Sequence, residues 1–316
     1  MTCKQNKKEE SYEFFENIVN YIDKAKSAES NAELSNAVSE CNSFMKTSGS
    51  YFTVEETAKR ICQQYVKLYN SLTDCKINSS NPNYQKCRDF LNYWVNFKLR
   101  KSMKYEDYSV PDVYNLLESQ ITGTGVFGTD LVCIHNINMN DLNKMNILYS
   151  LYEKYSKLND IIKNKFEQHK QSLSTLSTAC CLDYIKASYL CNDDNMNNNP
   201  IFCKKLDTFK LKHDALHTEV VSKDSEYSDQ FIKLSECHNN KIITTAVTGT
   251  VVGLIPLLGV LYKFTPMVQV LRSKMGILNN DISKNDEEMI KMSLMDQENE
   301  QIPFQKKTYN IKYQSL

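Results

Sequence analysis

Between Lys241 and Lys263 runs an unbroken apolar stretch, 242–262, IITTAVTGTVVGLIPLLGVLY, with no charged residue inside it. A helix of this length, rising ~1.5 Å per residue, covers a hydrocarbon core of roughly 30 Å. A helix buried in a soluble core is the competing explanation, and the uninterrupted length disfavours it. Four threonines and Pro256 lower the hydrophobicity, yet a threonine hydroxyl can bond back to the helix backbone and a bilayer helix tolerates one proline. Ile242 opens the segment, while Tyr262 and the two lysines suit the interface with water. Gly249 and Gly253 form a GxxxG pair that would let two such helices approach closely, although this spacing is common by chance in apolar segments.

The 11 cysteines, at positions 3, 41, 62, 75, 87, 133, 180, 181, 191, 203 and 237, all precede that stretch, and the chain from 242 onward has none. Disulfides persist outside the cytosol and are rare within it. The N-terminal part is therefore expected outside and the tail inside; an intracellular chain with many buried free thiols is the alternative. Flanking charge does not decide orientation, because Lys233 and Lys241 precede the segment while Lys263, Arg272 and Lys274 follow it. An odd count leaves at least one free thiol, with Cys3 the expected spare. Pairing of the others is open, but Cys75 with Cys87 and Cys191 with Cys203 each flank a polar loop and are disulfide candidates, each closing a loop for ~3 kcal/mol of unfolded-state freedom. The opening MTCKQNKKEESYEFF has charges but no apolar run of the length a cleavable signal peptide needs.

Lys plus Arg and Asp plus Glu are both 38 among 316 residues, so the net charge is zero, without the broad positive footprint of a nucleic-acid binder. Only 8 glycines and 6 prolines are present, too few turn formers for an all-β fold. Apolar residues instead recur at helical spacing. Phe15, Ile18, Val19 and Ile22 make one face; Ile61, Tyr65, Leu68 and Leu72 another; Phe90, Tyr93, Trp94 and Phe97 a third. Met145, Leu148, Tyr152, Tyr155, Ile162 and Phe166 extend through a long helix, and Phe202, Leu206, Phe209, Leu216 and Val220 describe the last one before the apolar stretch. Segments 78–84, 122–130 and 192–200 are rich in turn formers and read as loops, and 281–301 is acidic, poor in aromatics and expected to be disordered. The predicted fold is all-α: a cysteine-rich helical bundle at 1–240, one transmembrane helix at 241–263 and a short, largely disordered cytoplasmic tail at 264–316.

Three patterns resemble chemistry. Gly123, Gly125 and Gly128 match GxGxxG, but that fingerprint works at a strand-to-helix turn, and the preceding residues 113–121 look helical, with Pro111 near their start. His213, Asp214 and His217 read HDALH, near the zincin HExxH, but the general base would be one methylene short and no third ligand is evident; surface histidines are the default. The aromatic stripe at Phe90, Tyr93, Trp94 and Phe97 has the spacing of a core face more than of a binding surface. No catalytic, cofactor or metal site is expected.

RDFLNYWVNFKLR, 88–100, carrying Phe90, Leu91, Asn92, Tyr93 and Trp94, resembles the YLNYWLNYKL segment of the Plasmodium interspersed repeat superfamily, in particular the vir-type variant antigens of the Plasmodium vivax group. The apolar stretch running into Phe264, Thr265 and Pro266 is similar to that family's membrane helix and its FTP exit, and the closing YNIKYQS, with Tyr309, Asn310 and Ile311, to its YNIGYHS terminus. The order of the three pieces agrees with the family, and the likeness extends over nearly the whole chain. After FTP the family often continues xGSWLR, where this chain has MVQVLRSKMG. None of Arg60, Arg88, Arg100 and Arg272 has leucine two positions on, so the RxLx(E/Q/D) export motif is missing. The resemblance implies a non-enzymatic variant antigen of infected red cells, without cofactor, acting in immune evasion and adhesion. Its implied partners are the lipid bilayer and a host protein or host cell-surface receptor, with no nucleic acid and no small-molecule substrate. Its implied location is the infected erythrocyte membrane or exported parasite membranes. An internal scaffold at the parasitophorous vacuole or in exported vesicles, recruiting partners through its tail, is the alternative.

Overall fold

A helix that is apolar on one side packs at a surface, and one that is apolar all round has to sit inside. Every residue from Phe90 to Asn96 is buried, so the helix that carries them, α4 (Pro82–Ser102), is the axis of the molecule. In this computed structural model residues 10–30, 37–76, 80–122, 132–164, 170–191, 199–223 and 230–237 are described. All belong to one unit, Met1–Val251, and a second unit, Val252–Leu316, lies outside them.

Ahead of α4 come a 3-10 turn at Glu13–Glu16, α1 (Ile18–Ser30), α2 (Val38–Ser48) and α3 (Glu56–Ser71). After it come α5 (Val110–Ile121), an extended stretch at 132–138, α6 (Met139–Asn164), α7 (Lys170–Ser188), α8 (Pro200–Lys223) and a strap at 230–237 that contains a 3-10 turn, Leu234–Glu236. The one β-bridge among the described residues joins Phe52 to Met103. Helix α1 packs on α3 and α6, α2 on α3 and α5, α4 on α3, α5 and α6, and α6 on α7 and α8.

Helix starts follow side-chain caps. The Asn81 side chain accepts from the Asn83 amide at 2.8 Å, with Pro82 in the first turn, where its missing N–H costs nothing. Ser109 caps α5 ahead of Pro111, and Asn138 caps α6 by accepting from the Asp141 amide at 2.9 Å. Two of the expected loops therefore end early: 78–84 gives way to helix at Pro82 and 192–200 at Pro200, because an Asn-Pro pair is a helix start as much as a loop signal.

The helical faces read from sequence line one core. Phe15, Ile18, Ile22, Ile61, Tyr65, Leu68, Leu72, Met145, Leu148, Tyr152, Ile162, Phe202, Leu206, Phe209, Leu216 and Val220 are buried, with Val19 and Tyr155 packed at its edge; Phe166 lies outside the described residues. Aromatic rings fill the centre. Tyr21 stacks on Phe90 with centroids 4.7 Å apart, Phe14 on Tyr93 at 5.4 Å, and Tyr152 meets Phe209 edge-on at 5.0 Å. Between α6 and α7 the Lys154 ammonium is buried against Asp183 at 2.7 Å and Ser150 at 2.7 Å.

Disulfides join Cys41 to Cys62, Cys75 to Cys87, Cys181 to Cys237 and Cys191 to Cys203. Cys133 is disulfide-bonded as well. The free thiol among the described residues is Cys180, buried in α7, where burial pushes its pKa up to about 12; Cys3 lies outside them. Among the described residues no helix is long and apolar enough to cross a membrane. The segment expected to do so, with Ile242, Gly249, Gly253, Pro256 and Tyr262, lies outside, as do Phe264, Thr265, Pro266, Tyr309, Asn310 and Ile311.

Trp94 is almost wholly buried, its indole N–H donates to Glu29 at 3.4 Å, and Lys98 lies over its ring while pairing with Glu29 at 2.8 Å. Trp94→Ala should therefore cost ~3–5 kcal/mol in denaturant unfolding of residues 1–241. Reduction of that same fragment should lower its melting temperature by circular dichroism, since each cross-link restricts the unfolded chain by ~3–4 kcal/mol. Coincident oxidised and reduced melts would contradict the bracing role.

Candidate functional site

Two asparagines interrupt the apolar run of α4, and a buried amide without partners is expensive. Both face the extended stretch before α6. Asn96 Nδ2 donates to the His135 carbonyl at 2.8 Å and to the Asn92 carbonyl at 2.9 Å, while its Oδ1 accepts from the Ile137 amide at 3.1 Å. Asn92 Oδ1 accepts from the His135 amide at 2.9 Å. The two side chains thus stand in for a neighbouring strand, one turn of helix apart, and hold 135–137 where no sheet exists to satisfy it. Asn136 extends the clamp, its Oδ1 accepting from Arg100 at 3.1 Å and from the Val110 amide at 3.1 Å.

The His135 ring reaches Glu10 at 3.0 Å through Nε2. Around that contact Glu10, Ser11, Asp89, Asn92, His135, Ile137 and Met145 line a shallow recess of about 10 Å³, far below the usual ~300–1,000 Å³ of a small-molecule site. Glu10, His135 and Asn92 bond to one another across it, which suits structural closure rather than a bound ligand. Of this group the sequence analysis marks Asn92, as part of a family segment, and Met145, as part of a helical face; Glu10 and His135 are separated from Asn92 by long stretches of chain. The two amides in the otherwise apolar run of α4 are the signal that points here.

The other patterns separate under the geometry. His213 and His217 are not surface residues: His213 is 0 % exposed and His217 8 % exposed on the inner side of α8. The ring of Phe231, from the strap, covers both, at centroid distances of 4.7 Å and 5.7 Å. Neither ring nitrogen of His213 has a hydrogen-bond partner, nor does Nδ1 of His217. Burial, and then the neighbouring His217, push the His213 pKa down to about 3, and burial lowers that of His217. Among the described residues no group of three or more His, Cys, Asp or Glu could hold a metal ion. The glycines of the GxGxxG pattern lie outside the described residues, and the segment before them is helix α5. The aromatic stripe is core, with Phe90, Tyr93 and Trp94 buried and Phe97 packed at the edge. What the bundle offers to solvent includes Tyr105, Val54 and Leu211, 55 %, 55 % and 72 % exposed, on separate elements.

Residues 203–316 match the family model of the Plasmodium vivax Vir protein. The C-terminal part of the chain is thus similar to the Vir family. The match begins within the first turn of α8 and runs through the strap and the apolar stretch to the last residue, so it takes in the FTP and YNIKYQS pieces that carried the resemblance. No curated protein and no solved structure matches this chain.

In the bundle, Asn96→Ala would leave the Ile137 amide and the His135 carbonyl without their partner. A loss of ~2–5 kcal/mol is expected in denaturant unfolding, at ~1–3 kcal/mol for each orphaned group. Asn96→Asp should be nearly as damaging, because the carboxylate can accept from Ile137 but cannot donate to His135.

Proposed function

We propose that this chain is a variant surface antigen of malaria-infected red cells, anchored by 242–262, with the helical domain displayed outside and the tail on the cytoplasmic side. It acts in immune evasion and in adhesion to host cells, without catalysis. The observation that carries this reading is the cross-linking of the helical domain, where four disulfides join described residues and every cysteine precedes the apolar stretch. Such bridges form and persist in oxidising surroundings. The similarity of 203–316 to the Vir family model supports the antigen role in general terms.

The architecture suits variation. Structural demands fall on the α4 core, the asparagine clamp and the bridges, while solvent-facing positions away from them tolerate change within about 0.5 kcal/mol. A family can thus alter what antibodies see and keep one scaffold. Adhesion would draw on the same surface, with a host protein or host cell-surface receptor as partner.

Antibodies raised against oxidised 1–241 should bind intact infected cells. A cysteine placed in the tail should stay unlabelled by a membrane-impermeant thiol reagent until the membrane is permeabilised. Binding only after permeabilisation would favour the internal scaffold, and tail labelling on intact membranes would reverse the topology.

A further inference from the structure

The His213 and His217 pair is unusual for a core position. One turn apart on α8, they are packed as aromatic rings would be, under Phe231, with three ring nitrogens left without partners. Phenylalanine would fill that space without the unmet polar atoms. What sits above them is the strap 230–237, held by two polar contacts and one covalent bond. The Ile232 amide donates to Ser177 Oγ on α7 at 2.7 Å, the Leu234 amide donates to Asp214 Oδ1 on α8 at 3.3 Å, and Cys237 is bonded to Cys181. Asp214 Oδ1 also stands 3.9 Å from His213 Nδ1. One carboxylate oxygen therefore lies between the strap's backbone and the buried imidazole.

We propose that the His213–His217 pair and Asp214 form an acid-operated latch: when Phe231 and the strap lift from α8 the two rings take up protons that the closed site excludes, and Asp214, released from the Leu234 amide, is free to pair with His213, while Cys181–Cys237 keeps the strap tethered. Above neutral pH both rings are neutral, bury at little electrostatic cost, and leave Asp214 to the strap. Protonation puts a cation under Phe231 in a site closed to water, where a charge is costly unless paired. Asp214 is the nearest anion. Besides Asp214, the charged groups that act on the pair are Lys233 and Glu236 on the strap, both on His217; Tyr184 on α7 lies near Asp214, and Glu219 on α8 near Tyr155 on α6. Lys233 disfavours a charge on His217, and Glu236 and Asp214 favour one. Burial outweighs these contacts, since both histidines are shifted down.

The direction follows from linkage. A histidine whose pKa is depressed when closed binds its proton better when open. The closed strap is then fully favoured above the ordinary imidazole value of about 6.5 and loses about tenfold per pH unit below it. At about pH 5, one such histidine raises the open population roughly thirty-fold.

Hydrogen exchange of the oxidised full-length chain in detergent, read by mass spectrometry at about pH 7.5 and about pH 5 and corrected for the intrinsic pH dependence of exchange, tests this. Amides of Ile232 and Leu234 should lose protection by roughly thirty-fold at the lower pH, while those of α4 keep theirs. In the His213→Phe, His217→Phe double variant the strap should stay protected at both values. Equal strap protection in the wild-type chain at both pH values would overturn the latch without recourse to any variant. So would a pH response that survives the double substitution, or a loss confined to Asp214→Asn, which would make carboxylate protonation the trigger. Loss of protection throughout the bundle at the lower pH would show general acid unfolding and equally overturn it.

Discussion

Burying α4 on every side forces the rest of the architecture. A helix with apolar residues all round needs neighbours all round, and α3, α5, α6 and the turn at Glu13–Glu16 supply them. The same burial turns Asn92 and Asn96 from ordinary residues into obligations, because each amide has to find partners away from water. They find them in 135–137, which is why the described stretch 132–138 enters α6 as extended backbone alongside α4. A single helix thereby sets both the aromatic core and the path of the chain between the two halves of the bundle.

The second half depends on it less. Helices α6, α7 and α8 pack on one another through Tyr152, Phe209 and the buried Lys154–Asp183 pair, and are closed by the strap and two disulfides. A buried ion pair adds little net stability but is costly to break, so it favours one register of α6 on α7 over others. The cross-links act differently, by limiting the unfolded chain. Cores, registers and cross-links divide the work, and the outer faces are left free to differ.

Helical periodicity in the amino-acid sequence locates the faces from Phe15 to Val220, because burial on one side leaves a 3.6-residue signature. It is less informative for α7, whose buried Cys180, Cys181, Tyr184 and Ala187 are small or polar-tipped and give little contrast. Bridges across polar loops, Cys75 with Cys87 and Cys191 with Cys203, are suggested by local spacing, whereas Cys41–Cys62 and Cys181–Cys237 join separate elements and have no local signal. Polarity by residue type puts His213 and His217 at the surface, where they are not; the apolar neighbours Phe209 and Leu216 on the same helix are the better guide. The asparagine clamp is hidden for a related reason, since a hydrogen bond between residues some forty positions apart leaves no periodic trace.

The central claim is a helical domain braced by disulfides and therefore made for an oxidising exterior. Non-reducing peptide mapping of the chain taken from infected cells, with free thiols blocked before lysis, tests it most directly. Cross-linked peptides should join Cys41 to Cys62, Cys75 to Cys87, Cys181 to Cys237 and Cys191 to Cys203, with Cys180 recovered as a blocked thiol only after unfolding. Recovery of these cysteines as free thiols in the native chain would contradict the claim and place the domain in a reducing compartment.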